Sequence, residues 1–312
     1  MKGLELSREY YRQVGRPALQ KEFPSLWGRI AAGLTGEGSE CFGFDDALSR
    51  DHDFGPAFCI WLSKEDYLSQ GEELQQAYDR LPFEFEGFFA RKPTQYAGKR
   101  VGVFEIGDFY RNFLRMDRPP RTLAEWRALF ENALAAATNG EVFEDGTGEF
   151  SAFREKLLGY YPEDVRLKKI SVRCVGIAQS GQYNYIRSAA RKEHVAAAHA
   201  LALFTDAAIS LVFLLNKRYM PFYKWMHRAL LGLPVLGETA YEAFMDMYAP
   251  NQEGDLYRKN HDRIETLCAR LIAELKNQGL TSKNSDFLLD HAPQVAERIR
   301  DENLRNLSIM VE

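Results

Sequence analysis

Cysteine and surplus basic charge are both scarce in this chain of 312 residues. Its four cysteines are scattered, with no Cys-x-x-Cys pair and no histidine at the spacing of a zinc site, so we expect reduced and mostly buried thiols. The formal net charge is −4 and the pI is near 6.0. Because general nucleic-acid binding usually requires a basic face, we expect no DNA partner and do not expect an RNA partner.

Long apolar segments are also few. The opening sequence MKGLELSREYY lacks the apolar core of a secretory signal. The longest apolar stretch, Val195 to Leu215, contains His199, Thr205 and Asp206, and an aspartate at the centre of a membrane costs about 2.5–3.5 kcal/mol. We therefore predict a buried helix of a soluble bundle, no membrane partner and a cytoplasmic location.

The length favours two domains, and the character of the sequence changes near its middle. The first half mixes strand-like and helix-like patterns, whereas almost everything after residue 150 has helical periodicity. Asn139–Gly148 (NGEVFEDGTG) is the most linker-like stretch because it is dense in turn-forming residues. We predict an α+β fold, with a small mixed-sheet domain at residues 1–150 followed by an all-α domain at residues 151–312.

Hydrophobic periodicity gives the expected elements. The expected strands are Ile30–Leu34, His52–Leu62 and Arg100–Ile106. The expected helices are Glu5–Trp27 with an interruption near Pro17, Lys64–Leu81 with Ser63 as its N-cap, Leu123–Thr138, Tyr183–Tyr219, and one that begins near Phe222. Pro221 separates the last two helices, since a residue before proline avoids helical geometry.

The stretch around Gly38-Ser39 and Asp51-His52-Asp53 is the most informative in the chain. Eleven residues separate the two motifs. A Gly-Ser turn that opens a helix offers backbone N–H groups and a hydroxyl to phosphate oxygens. If the second strand begins at His52, Asp51 and Asp53 point the same way, because side chains alternate along a strand. Two converging carboxylates can share a pair of metal ions that act in phosphoryl transfer.

A third carboxylate is expected on the third strand. Alternation places Glu105 on the same face as Val101 and Val103, where an ionised group is costly unless it is paired or bound to a cation. Glu105 would complete the metal site or take the proton of an acceptor hydroxyl; otherwise it occupies an exposed edge. Asp108 is the competing candidate, although its position favours a helix N-cap.

These residues resemble the signature of the polymerase-β-like nucleotidyltransferase superfamily. That signature begins with an apolar run and Gly-Gly or Gly-Ser. A short spacer and then Asp-x-Asp or Asp-x-Glu follow. The string GSECFGFDDALSRDHDFGP (residues 38–56) is similar to an uncharacterised bacterial branch of that superfamily. That branch also shares the later YYP at 160–162 and KRYMPFYKW at 217–225. The resemblance implies magnesium-dependent transfer of a nucleotide and leaves the acceptor open.

The KRYMPFYKW segment is the second cluster of candidate residues. Its lysines, Lys217 and Lys224, flank Pro221, so that basic groups on two helices could meet at one place. In related antibiotic nucleotidyltransferases a helical C-terminal domain closes the cleft and supplies such groups, which the resemblance implies here. The alternative is that both lysines favour local helix dipoles, an effect of about 0.3–1 kcal/mol each.

The expected activity is that of a nucleotidyltransferase that moves a nucleoside monophosphate, AMP by expectation, from an NTP to a hydroxyl of a small molecule or protein. ATP is the expected co-substrate, with two Mg²⁺ ions. The expected site residues are Gly38 and Ser39 for the triphosphate, Asp51, Asp53 and Glu105 for catalysis and the metal ions, and Lys217 and Lys224 for the leaving pyrophosphate. The alternative is a non-catalytic nucleotide sensor or toxin-neutralising partner that keeps the same fold.

Overall fold

The computed structural model describes residues 1–50, 54–91, 98–249 and 255–312, which form two compact units. Unit 1 comprises Met1–Pro120 and Asn132–Gly159, and unit 2 comprises Arg121–Glu131 and Tyr160–Glu312. The fold is α+β, with a small mixed sheet and many helices, as the sequence predicts. The domain boundary at residue 150 stays a prediction, because compactness does not by itself define a domain.

A mixed four-stranded sheet organises unit 1. The strands of the described residues are β1 (Ala31–Leu34), β2 (Cys59–Leu62), β3 (Glu84–Phe85), β4 (Phe88–Phe89), β5 (Gly102–Glu105) and β6 (Glu141–Asp145). The sheet has the order β5-β2-β1-β6, in which β1 is antiparallel to both neighbours and β2 is parallel to β5. Strands β3 and β4 form a separate antiparallel pair. The sheet therefore contains one strand more than the sequence predicts.

Helices make up most of the remaining described chain. In unit 1 they are α1 (Gly3–Tyr10), α2 (Arg16–Glu22), α3 (Lys64–Asp79), α4 (Ile106–Leu114) and α7 (Glu149–Leu158). In unit 2 they are α5 (Leu123–Arg127), α8 (Glu163–Ile177), α9 (Ile186–Ala190), α10 (His194–Leu215), α11 (Tyr223–Ala229), α12 (Gly237–Met247), α13 (Leu256–Asn277), α14 (Ala292–Glu297) and α15 (Glu302–Arg305). Helix α6 (Glu131–Thr138) contributes its first residue to unit 2 and the others to unit 1.

The two faces of the unit 1 sheet have separate cores. Alternation along the central strand sends Ile60 and Leu62 into a cluster with residues of α3 and the leading helix. On the opposite face, Trp61 stacks on Phe150 with ring centroids 3.8 Å apart and meets Phe109 edge-on. Burying a large apolar side chain stabilises the fold by about 1.5–3 kcal/mol, so this strand is held from both sides.

The second strand is shorter than predicted. It begins at Cys59, and residues 54–58 do not belong to it. Gly55 has a φ of +147°, and a Cβ at that position would lie 2.2 Å from the carbonyl oxygen of Phe89. Pro56 follows and lacks the N–H that a strand ladder requires. The expectation of a continuous strand from His52 to Leu62 is therefore wrong for residues 54–58, whereas Asp51 and Asp53 lie outside the described residues.

The linker-like stretch Asn139–Gly148 contains strand β6, so the expectation of a linker there is wrong. Gly140 has a φ of +63°, and a Cβ on it would lie 1.9 Å from the carbonyl oxygen of Leu34. Its N–H donates to the carbonyl of Cys41 at 2.9 Å. The turn-forming residues thus bring this segment close to β1, where pairing with a strand distant in sequence overrides its local loop character.

Three predicted helices have different limits in the structure, and the one expected at Leu123–Thr138 is divided into α5 and α6. The leading helix is not interrupted near Pro17, because a π-helical turn at Tyr11–Gly15 joins α1 to α2 and Pro17 lies in the first turn of α2. The helix expected at Tyr183–Tyr219 is divided before His194, where Lys192 has a φ of +63°. The predicted Ser63 cap is confirmed, since its hydroxyl accepts the N–H of Asp66 at 3.2 Å.

Helix α10 is the one helix of the described residues that is long and apolar enough to cross a membrane. In the most apolar part of the helix, 67% of the residues are buried inside the structure. It packs on α8, on the π-helical segment Ala178–Tyr185 and on α12. The core helix of a soluble protein has the same length and composition, so the fold is compatible with a soluble protein.

Candidate functional site

The turn after β1 forms where the Gly-Ser motif predicts it. The side chain of Asn139 fixes this turn: its Oδ1 accepts the N–H of Gly36 at 2.9 Å and its Nδ2 donates to the Gly36 carbonyl at 2.6 Å. Gly38 then caps a single 3₁₀ turn, Ser39–Phe42, rather than an α-helix. The motif is therefore positioned by the end of a buried strand and by an amide anchor, with little contribution from a helix dipole.

Gly38 is required for space rather than for backbone freedom. Its φ of −64° and ψ of 145° are accessible to any residue. However, a Cβ there would lie 2.4 and 2.5 Å from the carboxylate oxygens of Glu40. Glu40 is only 3% exposed, and its carboxylate lies 2.7 Å from the guanidinium of Arg91, which is also buried. The glycine thus leaves room for a buried ion pair directly beside the proposed phosphate-binding turn.

Glu40 keeps the buried guanidinium of Arg91 charged. Burial opposes the charge on Arg91, but Glu40 outweighs that effect and holds the pKa of the guanidinium above its ordinary value. Breaking such a pair would leave one buried charge without compensation, which is far more costly than losing a surface ion pair. Sequence reasoning missed both residues; the one available signal was an acidic residue directly after Gly38-Ser39.

A cavity of about 540 Å³ opens beside the turn, entirely within unit 1. Its lining includes Gly36 and Gly38 from the turn, the basic residues Lys99 and Arg100, the amide Asn112 and the ring of Phe104. Ligand pockets are typically about 300–1,000 Å³ in volume, so the cavity is large enough for a nucleotide. Glycine backbone, cations and aromatic rings are the groups that bind phosphates and bases.

Lys99 and Arg100 were not predicted as site residues. The ammonium of Lys99 donates to the carbonyl of Val103 at 2.5 Å and lies 4.8 Å from the centre of the Phe104 ring. Burial lowers the pKa of Lys99. The guanidinium of Arg100 lies 3.8 Å from the carboxylate of Glu37 on the turn. The sequence did contain a signal for these two residues, since two consecutive cations lie directly before an apolar strand.

Asp51 and Asp53 lie outside the described residues, so their predicted convergence stays a prediction. Just before them, the guanidinium of Arg50 lies 5.3 Å from the ring centre of Phe54 and 5.6 Å from that of Phe88. Within the ranges that the structure describes, no group of three or more His, Cys, Asp or Glu side chains could hold a metal ion. The two aspartates lie outside those ranges.

The neighbouring acids Asp45 and Asp46 have local structural roles. The carboxylate of Asp45 is buried and accepts the N–H of Gly3, in the first turn of α1, at 2.9 Å. The carboxylate of Asp46 accepts the N–H groups of Leu48 at 2.9 Å and Ser49 at 3.1 Å. Both residues therefore cap backbone groups.

Glu105 is the last residue of β5 and the N-cap of α4. Its carboxylate accepts the N–H of Gly107 at 2.9 Å and that of Asp108 at 2.6 Å. The preference for Asp108 as the N-cap is therefore wrong; Asp108 instead forms an ion pair with Arg111. A carboxylate has about four lone-pair positions, so Glu105 keeps acceptor capacity after capping. Oxygen ligands of this kind suit Mg²⁺, and Glu105 is the one of the three expected ligands that the structure describes.

Lys217 lies just beyond the C-terminus of α10, in unit 2. It adopts the left-handed conformation, with a φ of +52°. The N–H of Lys217 donates to the carbonyl of Leu214, and the N–H of Arg218 donates to the carbonyl of Phe213. These two bonds form a Schellman motif. The Lys217 ammonium lies 3.8 Å from the carboxylate of Glu163, and both side chains are exposed. This geometry suits a cation at a helix C-terminus, which was the structural alternative for Lys217.

Lys224 lies in the first turn of α11, which begins at Tyr223 with Phe222 as its N-cap, close to the predicted start. Its ammonium lies 5.1 Å from the ring centre of Trp225, and Trp225 is buried. Lys224 itself is exposed. The helix dipole does not favour a lysine at this end, so the structural alternative explains Lys224 less well than Lys217.

The two later segments singled out in the sequence, YYP and KRYMPFYKW, meet inside unit 2. Tyr219 stacks on Tyr160 with ring centroids 4.9 Å apart and meets Tyr161 edge-on at 5.2 Å. The hydroxyl of Tyr160 donates to the carbonyl of Arg218 at 3.3 Å. Burial raises the pKa of all three tyrosines, so they remain protonated packing groups. The segments therefore form one aromatic cluster.

Residues 126–226 match the family model described as Domain of unknown function (DUF4037). The matched region runs from the end of α5 into α11 and contains both segments of the aromatic cluster. No curated protein and no solved structure matches the chain.

Proposed function

We propose that this protein is a magnesium-dependent nucleotidyltransferase of the polymerase-β-like superfamily, and that the unit 1 cavity binds its nucleoside triphosphate. The observation that carries the proposal is the Gly36–Gly38 turn at the end of β1, which lines a cavity together with Lys99 and Arg100. Asp51 and Asp53 follow this turn at the spacing of the superfamily motif. ATP is the proposed co-substrate, and the proposed location is the cytoplasm.

The glycine turn and the two cations of the cavity have roles that their chemistry supports. The backbone of the glycine turn accommodates phosphate oxygens, because glycine allows close approach of the main chain. Lys99 and Arg100 neutralise phosphate charge, and the arginine fork can contact two oxygens. Lys99 loses little solvation on binding, since its ammonium is already partly withdrawn from water.

The proposed reaction is attack by an acceptor hydroxyl on the α-phosphorus. A phosphorus–oxygen bond forms to the acceptor, the bond to the β-phosphate breaks, and pyrophosphate leaves. Asp51, Asp53 and the remaining lone pairs of Glu105 would hold Mg²⁺, which supplies charge neutralisation when bound. Alignment and charge stabilisation supply most of the acceleration in such transfers. The acceptor is proposed to be a hydroxyl of a small molecule or of a protein.

A nucleotide sensor without catalytic activity is the second candidate, and the geometry of Glu105 favours it. The Glu105 carboxylate already accepts two backbone N–H groups. Its capping role therefore explains why a glutamate stands there without any metal. A binding-only protein, including a toxin-neutralising partner, would need the glycine turn and the cations but not the acids.

Pyrophosphate release separates the two candidates. The assay uses pure protein, each NTP and Mg²⁺, with and without a small-molecule extract or a protein fraction of a lysate. Wild type is compared with Asp51→Asn/Asp53→Asn, with Lys99→Met, and with Lys21→Met as a control on an exposed lysine of α2 in the same unit.

We expect acceptor-dependent release that falls by at least about a hundredfold in the double variant. Lys99→Met should weaken NTP affinity about tenfold, and Lys21→Met should match wild type. Tight NTP binding without release under any condition would favour the sensor. Undiminished release by the double variant, or full NTP affinity after Lys99→Met, would contradict the proposed site.

A further inference from the structure

A second cavity, of about 640 Å³, lies entirely within unit 2. Its walls include residues of α8, of the π-helical segment Ala178–Tyr185, of α9 and of α10, together with Met220. π-Helix is rare in proteins, and π-helical turns within α-helices are often found at functional sites. The volume is in the range of small-molecule pockets, about 300–1,000 Å³. No residue of this cavity belongs to the nucleotide site proposed above.

One face of α10 supplies both polar and apolar groups to the cavity. His199, Leu203, Asp206 and Ser210 all line it. Their spacings of three, four and seven residues place them on one side of a helix. A surface that combines apolar contact with a few placed polar groups is typical of small-molecule sites.

The charges at the cavity are not balanced. Arg173 lines it, but its guanidinium is bound by the carboxylates of Glu131, at 3.0 Å, and Glu312. In the part of the chain that the structure describes, the side chains of Asp206 and His199 form no hydrogen bond or ion pair with another residue. The carboxylate that remains uncompensated at the cavity is therefore that of Asp206.

The surroundings of Asp206 support an electrostatic role. Burial raises the pKa of this carboxyl group, although the side chain is still accessible to solvent. A carboxylate whose charge is poorly compensated gains from a cation brought next to it. Leu203 and Met220 provide apolar surface within the same cavity.

We propose that the unit 2 cavity binds a small organic cation, with the carboxylate of Asp206 as counter-ion to its ammonium group and the apolar wall as the seat of its carbon skeleton. This site is independent of the nucleotide site, and its occupancy does not require nucleotidyl transfer. His199, seven residues from Asp206 on the same helix, offers a hydrogen-bonding group to polar substituents of the ligand.

A matched series of probes tests the charge requirement without knowledge of the natural ligand. Benzylamine, benzyl alcohol and benzoate share one ring and differ in charge. Their affinities for the full chain are measured by ligand-observed NMR at neutral pH, in the absence of nucleotide and metal. We expect benzylamine to bind about fivefold more tightly than benzyl alcohol, as for an accessible ion pair, and benzoate to bind most weakly.

Three variants locate the binding. Asp206→Asn removes the charge at an accessible position and should reduce the preference for benzylamine to within about twofold of benzyl alcohol. Ala196→Trp, at an exposed position that lines the cavity, should weaken all three probes by occupying their space. Asp262→Asn removes an exposed carboxylate of α13, outside the cavity lining, and should match wild type.

The result is decisive in either direction. Equal affinity for amine, alcohol and acid would overturn the proposal, as would an amine preference that survives Asp206→Asn. Binding of benzylamine that Ala196→Trp leaves unchanged would place the probe elsewhere and would also overturn it. Circular dichroism of each variant confirms that the helices are retained, and pyrophosphate release is not used as a readout.

Discussion

The two units place buried charge differently. In unit 1, Glu40 and Arg91 form a buried pair at the wall of the proposed nucleotide cavity. In unit 2, the buried Arg and Lys side chains are concentrated on one helix, α8. The cations of α8 that are buried or largely buried are Arg166, Lys168, Lys169 and Arg173.

Each cation of α8 is satisfied by oxygen atoms of unit 2. Arg166 donates to the carbonyl of Leu214 and to the side chains of Glu163 and Gln278. The ammonium of Lys168 donates to the carbonyls of Leu307 and Ser308, both at 2.8 Å. Lys169 and Arg173 share the carboxylate of Glu312. These cations therefore have structural roles.

The environment of a cation therefore indicates its role better than its burial does. A buried cation whose charge is balanced by surrounding protein oxygens has a structural role, since a ligand would gain little by contacting it. Lys99 and Arg100 differ because they line a cavity beside a glycine turn. In unit 2, Asp206 is the acidic residue that corresponds to Lys99 and Arg100. It lines a cavity, and its side chain lacks a partner among the described residues.

Breaking the buried Glu40–Arg91 pair of unit 1 should have the largest effect on stability. Arg91→Met would leave the Glu40 carboxylate buried without its cation, and we expect a loss of about 3–5 kcal/mol in the free energy of unfolding. Glu40→Gln/Arg91→Met should recover part of this loss, because no buried charge remains. Urea unfolding of wild type and both variants measures it. A single variant as stable as wild type would show that the pair does not hold the turn.

The corresponding change in unit 2 should cost less. Lys168→Met keeps the length of the side chain and leaves the carbonyls of Leu307 and Ser308 without a donor, which costs about 1–3 kcal/mol. The same unfolding experiment measures this loss, with Lys276→Met on α13 as a surface control. A loss equal to that of Arg91→Met would mean that the two units depend on buried charge to the same extent.

Glu105→Ala sharpens the distinction between structure and function within unit 1. Removal of a capping side chain should lower the free energy of unfolding by about 0.5–2 kcal/mol. If Glu105 also serves in transfer, pyrophosphate release should fall by more than this loss of stability explains, at a temperature where the variant is fully folded. Unchanged release in a destabilised variant would assign Glu105 to capping alone.

The smallest expected effect concerns Glu312 and depends on pH. Burial opposes ionisation of its carboxyl group, but Arg173 and Lys169 outweigh burial and hold the pKa below the usual 4.5. A depressed pKa contributes stability that is complete above the unfolded-state value and is lost as the pH falls through the folded-state value. Glu312→Gln should therefore be less stable than wild type at neutral pH, and the gap should close in acid. Thermal unfolding across pH tests this; a gap independent of pH would contradict it.

Much of unit 1 could be predicted because its signals are local. An apolar run before Gly38-Ser39 indicates a strand and turn, and Ser63 before Asp66 indicates a helix cap; both are confirmed. Strand β6 could not be predicted, because its residues have loop character and acquire strand geometry only by pairing with β1. The N-cap role of Glu105 was not predicted, because aspartate is the more typical capping residue and Asp108 lies nearby.

The unit 2 cavity and the roles of the α8 cations had no local signal. Lys168 reaches carbonyls about 140 residues away in sequence, and spacing along one helix cannot reveal such partners. His199 and Asp206 were recognised as polar residues in an apolar run, which argued against a membrane helix. Their shared position at a cavity depends on how α10 packs on α8, a tertiary property.

Photolabelling with 8-azidoadenosine triphosphate tests most directly whether the nucleotide binds in unit 1. The protein is irradiated with the probe and Mg²⁺, with and without excess ATP, and labelled peptides are identified by mass spectrometry. We expect labels that ATP suppresses in the segments 34–41 and 98–113, which line the unit 1 cavity. Labels confined to unit 2, or labels in unit 1 that excess ATP does not reduce, would contradict the account.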